Sequence, residues 1–152
     1  MDAVQRVTDT SWVDQIAECQ AKMAMETEGM QIDEHNVRNG IKAMIADPGL
    51  GEYFIITKNG SVAGTLMITK EWSDWRSRFF VWIQSVYVKP EFRNQGLYRK
   101  LYDHIKNMVE GSDEYAGIRL YVEKDNKNAQ SVYQKLGMSS DHYHMYEWEA
   151  QH

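Results

Sequence analysis

Residues 82–98, WIQSVYVKPEFRNQGLY, constrain this chain more than any other segment, because they close a strand and open a helix within a few positions. Residues 82–88 are apolar and β-branched enough for a buried strand, and Pro90 ends it by removing a backbone donor. A helical pattern begins at Leu97, which puts Gly96 at the turn where the new helix opens. The first N–H groups of a helix lack intrahelical partners and carry the positive end of its dipole. Such a turn, with Arg93, Arg99 and Lys100 around it, can hold a phosphate or pyrophosphate.

Taken singly, Gly96 is an ordinary turn glycine and Arg93 a solvated charge. Their joint placement, and a second motif downstream, outweigh that reading. Arg93 and Gly96 reproduce the R-x-x-G core of an R/Q-x-x-G-x-G/A loop. Asn126, Ala129, Tyr133, Lys135, Gly137 and Met138 then follow as N-x-x-A-x-x-x-Y-x-K-x-G-F/M. On these residues, over about 81–138, the chain resembles the GNAT family of N-acetyltransferases. The resemblance implies acetyl-CoA (coenzyme A) as acyl donor. It places the pantetheine arm along Val86, Tyr87 and Val88, through the backbone of Val86 and Val88. It assigns the pyrophosphate to the turn Arg93, Asn94, Gln95, Gly96, Leu97, Tyr98 and Arg99, on backbone N–H groups from Gln95 to Arg99. Tyr133 matches the tyrosine that protonates the departing thiolate, and Asn126 and Asn128 match polar contacts on the cofactor side. The chain departs from the family at Tyr98, where Gly or Ala is usual.

A length of 152 residues suits one domain, here 1–152, with a core that needs neither disulfide nor metal. Cys19 is the only cysteine, so no intrachain disulfide forms and a reducing cytoplasm is the expected location. The N-terminal MDAVQRVTDT has no basic segment leading into an apolar one, and no apolar run approaches the roughly 20 residues of a membrane span. A formal charge of -5 argues against general nucleic-acid binding and weakly favours cationic substrates. The five histidines form no H-x-x-x-H pair, so no metal is expected.

The remaining elements alternate without repeats. Residues 4–8 suit a short strand, and Ser11 with Asp14 three residues on predicts the start of a helix containing Ile16, Ala17, Met23 and Ala24. After Asp33, Val37, Ile41, Met44 and Ile45 form one buried helical stripe that ends at Asp47-Pro48-Gly49. Residues 53–57 and 62–69 flank Asn59-Gly60, a tight-turn pair. Residues 79–88 make the next strand, and Leu97, Leu101, Tyr102, Ile105, Met108 and Val109 make a helical stripe ending near Gly111. Ile118, Leu120 and Val122 alternate as a strand; Ala129, Val132, Tyr133 and Leu136 share a helix face; residues 143–148 alternate as a last strand. The order is βααβββαβαβ. In the resembled family this is a mixed α+β fold, a mostly antiparallel central sheet with helices on both faces.

The implied reaction is direct attack of a primary amine, most simply that of a small molecule, on the thioester. It needs a cradle, carbonyl polarisation, an acid for the thiolate and a route for the amine proton. A phenol with a pKa of about 10 is protonated at neutral pH, which fits Tyr133 as the acid. Tyr133 also lies on the face of Ala129, Val132 and Leu136, the bland reading being core packing. The general base is open: Gln84 stands where relatives place His or Glu, and an amide accepts no proton. Glu28, Glu71 or Glu123 through water, a backbone and water chain, or bulk deprotonation are the alternatives. Glu71, Trp72, Asp74 and Trp75 suit an ammonium acceptor through charge and cation–π contact, or equally a packed hairpin tip or homodimer contact. Rival functions are a non-catalytic acyl-CoA sensor and a transferase acting on protein or peptide amines.

Overall fold

The computed structural model describes residues 3–152. They fall into two compact units, Met1–Arg119 and Leu120–His152. The first unit holds a five-stranded sheet of β1 (Val4–Arg6), β2 (Glu52–Lys58), β3 (Ser61–Ser73), β4 (Arg78–Val88) and β5 (Tyr115–Arg119), in that spatial order. Every pairing is antiparallel except β4 with β5. Its helices are α1 (Val13–Glu28), α2 (Glu34–Ala46) and α3 (Leu97–Glu110). This is the mixed α+β, mostly antiparallel class expected from the sequence.

Local chemistry explains most boundaries. Asp33 Oδ1 accepts from the N–H groups of His35 and Asn36 at 2.9 and 3.2 Å, which caps α2. Asn59 and Gly60 both take positive φ, 53° and 79°, as a two-residue hairpin turn between β2 and β3 requires. The start of α1 differs from the Ser11–Asp14 expectation. Asp9 accepts from Ser11 N–H at 2.8 Å and caps a short 3-10 turn over Thr10–Trp12, while Asp14 pairs with Arg38 at 3.0 Å. A cap two residues earlier and a partner on α2 leave Asp14 no reason to fold back.

The two faces of the sheet bury different helices. Tyr53, Ile55 and Tyr87 pack with Val13, Ile16, Ala17 and Cys19 of α1 and Ile41 of α2. Alternate strand residues face the other way. There Phe54 meets His104 of α3 with ring centroids 5.3 Å apart, and a Cβ on Gly64 would stand 3.3 Å from Leu101. Leu97, Leu101, Tyr102 and Ile105 are the buried stripe of α3.

Strand β5 begins earlier than the alternation of Ile118, Leu120 and Val122 suggests, because its extent is set by the ladder to Phe79, Phe80, Val81 and Trp82. In the second unit, α4 (Lys127–Lys135) is capped by Asn126, whose side chain accepts from Ala129 N–H at 3.1 Å. Residues 143–148, expected as a last strand, form none; Tyr143, Met145, Tyr146 and Trp148 are exposed. Alternation supplies a face to bury, but a strand also needs a ladder, and none forms there. The observed order is βααβββαβα. Among the described residues, no helix is long and apolar enough to cross a membrane.

Candidate functional site

Strand β4 uses its two edges differently. Lys89 N–H donates to Ala63 O at 2.9 Å, which sets the phase of the β3–β4 ladder. Tyr87 opposite Thr65, and Ser85 opposite Met67, are then the hydrogen-bonded pairs. The N–H and C=O groups of Val86 and Val88 therefore point to the opposite edge. On that edge β5 pairs only as far as Trp82, and no strand among the described residues pairs with 83–88. Such an edge can take an extended ligand as an added strand. The break coincides with a bulge: Met67 faces Ser85 and Ile68 faces Ile83, so Gln84 is the extra residue.

The open edge runs through a 3-10 turn at Pro90–Phe92 into α3. Asn94 and Gly96 take φ of 64° and 77°, reversing the chain so that α3 starts at Leu97. The first helical bond is Lys100 N–H to Gly96 O, so the N–H groups of Leu97, Tyr98 and Arg99 lie ahead of it. Residue 96 supplies no side-chain cap, and the first turn has no acidic residue. A Cβ on Gly96 would meet nothing within 4 Å, so the space above the turn is open. These features fit a pyrophosphate. Gln95 and Asn94 are exposed, Tyr98 is half-buried, and Arg99 pairs with Asp103 at 3.1 Å along the helix.

Arg93 and Tyr87 meet at a residue outside both motifs. Glu26, near the end of α1, accepts from Tyr87 Oη at 2.8 Å and from Arg93 Nη2 at 2.9 Å. Arg93 Nε donates to Val88 O at 2.9 Å, and its guanidinium lies 5.5 Å from the Tyr87 ring centroid. The bonds from Arg93 and Tyr87 hold the Glu26 carboxyl below its usual range. Burial, with Glu26 beside it, pushes the Tyr87 phenol up to about 12. Tyr87 thus directs its side chain toward α1.

The candidate acceptor residues scatter. Gln84 Nε2 donates to Thr69 Oγ1 at 2.8 Å. Glu71 Oε1 accepts from both Trp82 Nε1 and Arg119 Nη1 at 2.9 Å, so its charge is already paired. Those bonds, Trp82 first, hold its carboxyl below the usual range. Trp72 packs edge-on against Phe79, centroids 4.9 Å apart, while Asp74 and Trp75 are exposed at the hairpin tip. Glu28 is exposed at the last position of α1. In the second unit Asn126 caps α4 through its Oδ1, Asn128 is exposed in the first turn, and Tyr133 is half-buried.

Residues 14–138 match the model of the acetyltransferase (GNAT) family. The chain belongs to the GNAT acetyltransferase family. Among solved structures, a possible acetyltransferase from Clostridium difficile 630 is 40% identical, with a TM-score of 0.92 and coverage of 98% of this chain and 97% of that one. A ribosomal-protein-alanine N-acetyltransferase from Brucella melitensis biovar Abortus 2308 shares the fold at 13% identity, TM-score 0.77, covering 99% of this chain and 100% of that one. So does an aminoglycoside acetyltransferase from an uncultured soil metagenomic sample, in complex with sisomicin, at 11% identity and TM-score 0.77, covering 98% and 95%. Comparison with curated proteins returns no match.

Two features of this GNAT chain escape sequence reasoning. Glu26 lies 61 and 67 residues from Tyr87 and Arg93, beyond any local pattern. The bulge at Gln84 leaves no mark in composition, since the run 82–88 reads as an ordinary strand.

Proposed function

We propose that this GNAT protein, as one domain over 1–152, transfers acetyl from acetyl-CoA to the primary amine of a small molecule by direct attack. The observation that carries the reading is the continuity of the open β4 edge with the N-terminus of α3, which has no side-chain cap. In this reading Val86 and Val88 bind the pantetheine arm through their backbone, and N–H groups from Gln95 to Arg99 bind the pyrophosphate. Asn128 adds a polar contact, while Asn126 orders the helix that carries Tyr133. Tyr133 donates a proton toward the departing thiolate. Bound acetyl-CoA supplies the activated acyl group.

On the acceptor side, the Gln84 amide is held by Thr69, which leaves its carbonyl oxygen to accept from an amine N–H. Trp72, Asp74 and Trp75 at the hairpin, and separately Glu28 at the end of α1, are the candidates for contact with a cationic acceptor, while Glu71 anchors Trp82 and Arg119. With an amide on the strand, the amine proton leaves through water. The same amide favours a second reading, a non-catalytic acyl-CoA sensor. The two are separated by thiol release from acetyl-CoA over a panel of polyamines, amino acids, aminoglycosides and N-terminal peptides. Release with a small amine supports the transferase; release with peptides alone moves the acceptor to proteins; tight binding without release favours the sensor.

A further inference from the structure

Glu26 is an odd residue to find beside a pyrophosphate site, since a carboxylate there repels the ligand unless its charge is used locally. Both of its oxygens are used: one by Tyr87 of β4, one by Arg93 of the turn. Arg93 in turn covers Val88 O, the last carbonyl on the open edge of β4. The chain of contacts runs from α1, through one carboxylate and one guanidinium, to the point where the strand ends and the phosphate-type turn begins.

Resting on the function proposed above, we propose that Glu26 is a positioning residue for acetyl-CoA, clamping Arg93 so that the turn from Asn94 to Gly96 is held ready to receive the pyrophosphate. A fork of fixed N–H donors loses less freedom when it is already oriented by a carboxylate. The positive φ at Asn94 and Gly96 defines a turn that the chain does not adopt freely, so fixing Arg93 at its start lowers the cost of ordering it on binding. Arg93 then acts mainly as a clasp between Val88 and Glu26, and the backbone N–H groups carry the phosphate. An ion pair as exposed as this one adds little to folding stability, its side chains being 44% and 40% accessible. Its effect belongs to ligand binding.

The test compares acetyl-CoA with S-acetylpantetheine, which lacks the pyrophosphate, on the whole chain. Calorimetry should show acetyl-CoA binding to Glu26→Gln weakened about tenfold, as expected for lost preorganisation. S-acetylpantetheine, followed by displacement, should bind parent and variant alike. In an Arg93→Ala background the Glu26→Gln change should cause no further loss, because the two residues act as one unit. Thermal unfolding of the single variant should match the parent. Equal losses for both ligands, additive losses in the double variant, or unchanged or tighter acetyl-CoA binding would each overturn the clamp. Failure of the parent to bind acetyl-CoA would instead remove the proposed function, and the clamp with it.

Discussion

Helices α2 and α3 present the same physical problem and treat it in opposite ways. Each opens with N–H groups that no earlier carbonyl reaches. At α2 the chain answers with its own carboxylate: Asp33 takes two of those groups, and Glu34 adds charge in the first turn. At α3 the capping position is Gly96, in the left-handed region, with no side chain and open space above it. A capped terminus is finished as structure, whereas a glycine at the capping position brings no side chain to the first-turn donors. Helix α4, capped by Asn126, falls with α2 and presents a side chain, Tyr133, instead of its backbone.

The largest effect should come from making α3 resemble α2. Gly96→Asp puts a carboxylate at the capping position of α3, in a left-handed backbone that an L side chain rarely adopts. Repulsion of the pyrophosphate together with that strain should weaken acetyl-CoA binding by about 10³-fold, or about 4 kcal/mol, in calorimetry. The far-UV spectrum should stay that of the parent. Undiminished affinity in a folded variant would erase the distinction between the two termini. Next comes the side chain on the capped helix. Tyr133→Phe should leave acetyl-CoA affinity intact while turnover with a working amine falls on the order of 10²-fold. Unchanged turnover with an unchanged pH profile would reduce Tyr133 to packing.

This contrast was partly legible in the residues themselves. Asp33 before a clean apolar stripe, Asn59-Gly60 between two alternating runs, and Gly96 before Leu97 are local signals, and each marks the boundary found. Ranges failed where the decisive partner is distant. Asp9, not Ser11, caps the first helical segment because Asp14 is drawn to Arg38. Strand β5 stops at Arg119 because its ladder to β4 ends at Trp82. Alternation over 143–148 produced no strand. Within the site, motif residues of β4 and the turn could be named in advance, but the pairing of Glu71 with Arg119 spans 48 residues. That pairing changes Glu71 from a receiver of ammonium into an anchor, and spacing alone carries no trace of it.

Smaller effects sharpen the comparison from the structural side. Asp33→Ala should cost about 1 kcal/mol of stability in chemical denaturation, with Asp33→Gly costing less, and neither should alter acetyl-CoA affinity. A change in affinity would show that the α2 terminus also serves the ligand. A separate effect is alkaline and belongs to the core beneath α1. Burial raises the Cys19 thiol from 9.0 to about 11 and the Tyr53 phenol from 10.0 to about 12. A folded pKa above the unfolded value gives stability that is complete below the unfolded value and lost as pH rises through the folded one. Denaturation midpoints should therefore hold to about pH 9 and decline toward pH 11. Cys19→Ala should flatten the first part of that decline, and a curve identical to the parent's would show that the thiol does not contribute.

The claim that the α3 terminus is left for a ligand while the α2 terminus is not can be measured at the amides themselves. In a nitrogen–proton correlation titration with acetyl-CoA, the signals of Leu97, Tyr98 and Arg99 should move most and those of His35 and Asn36 should stay in place. Titration with S-acetylpantetheine should leave all five nearly still. If acetyl-CoA binds but the three α3 amides do not respond, or respond no more than His35 and Asn36, the difference between the two helix termini has no bearing on cofactor recognition.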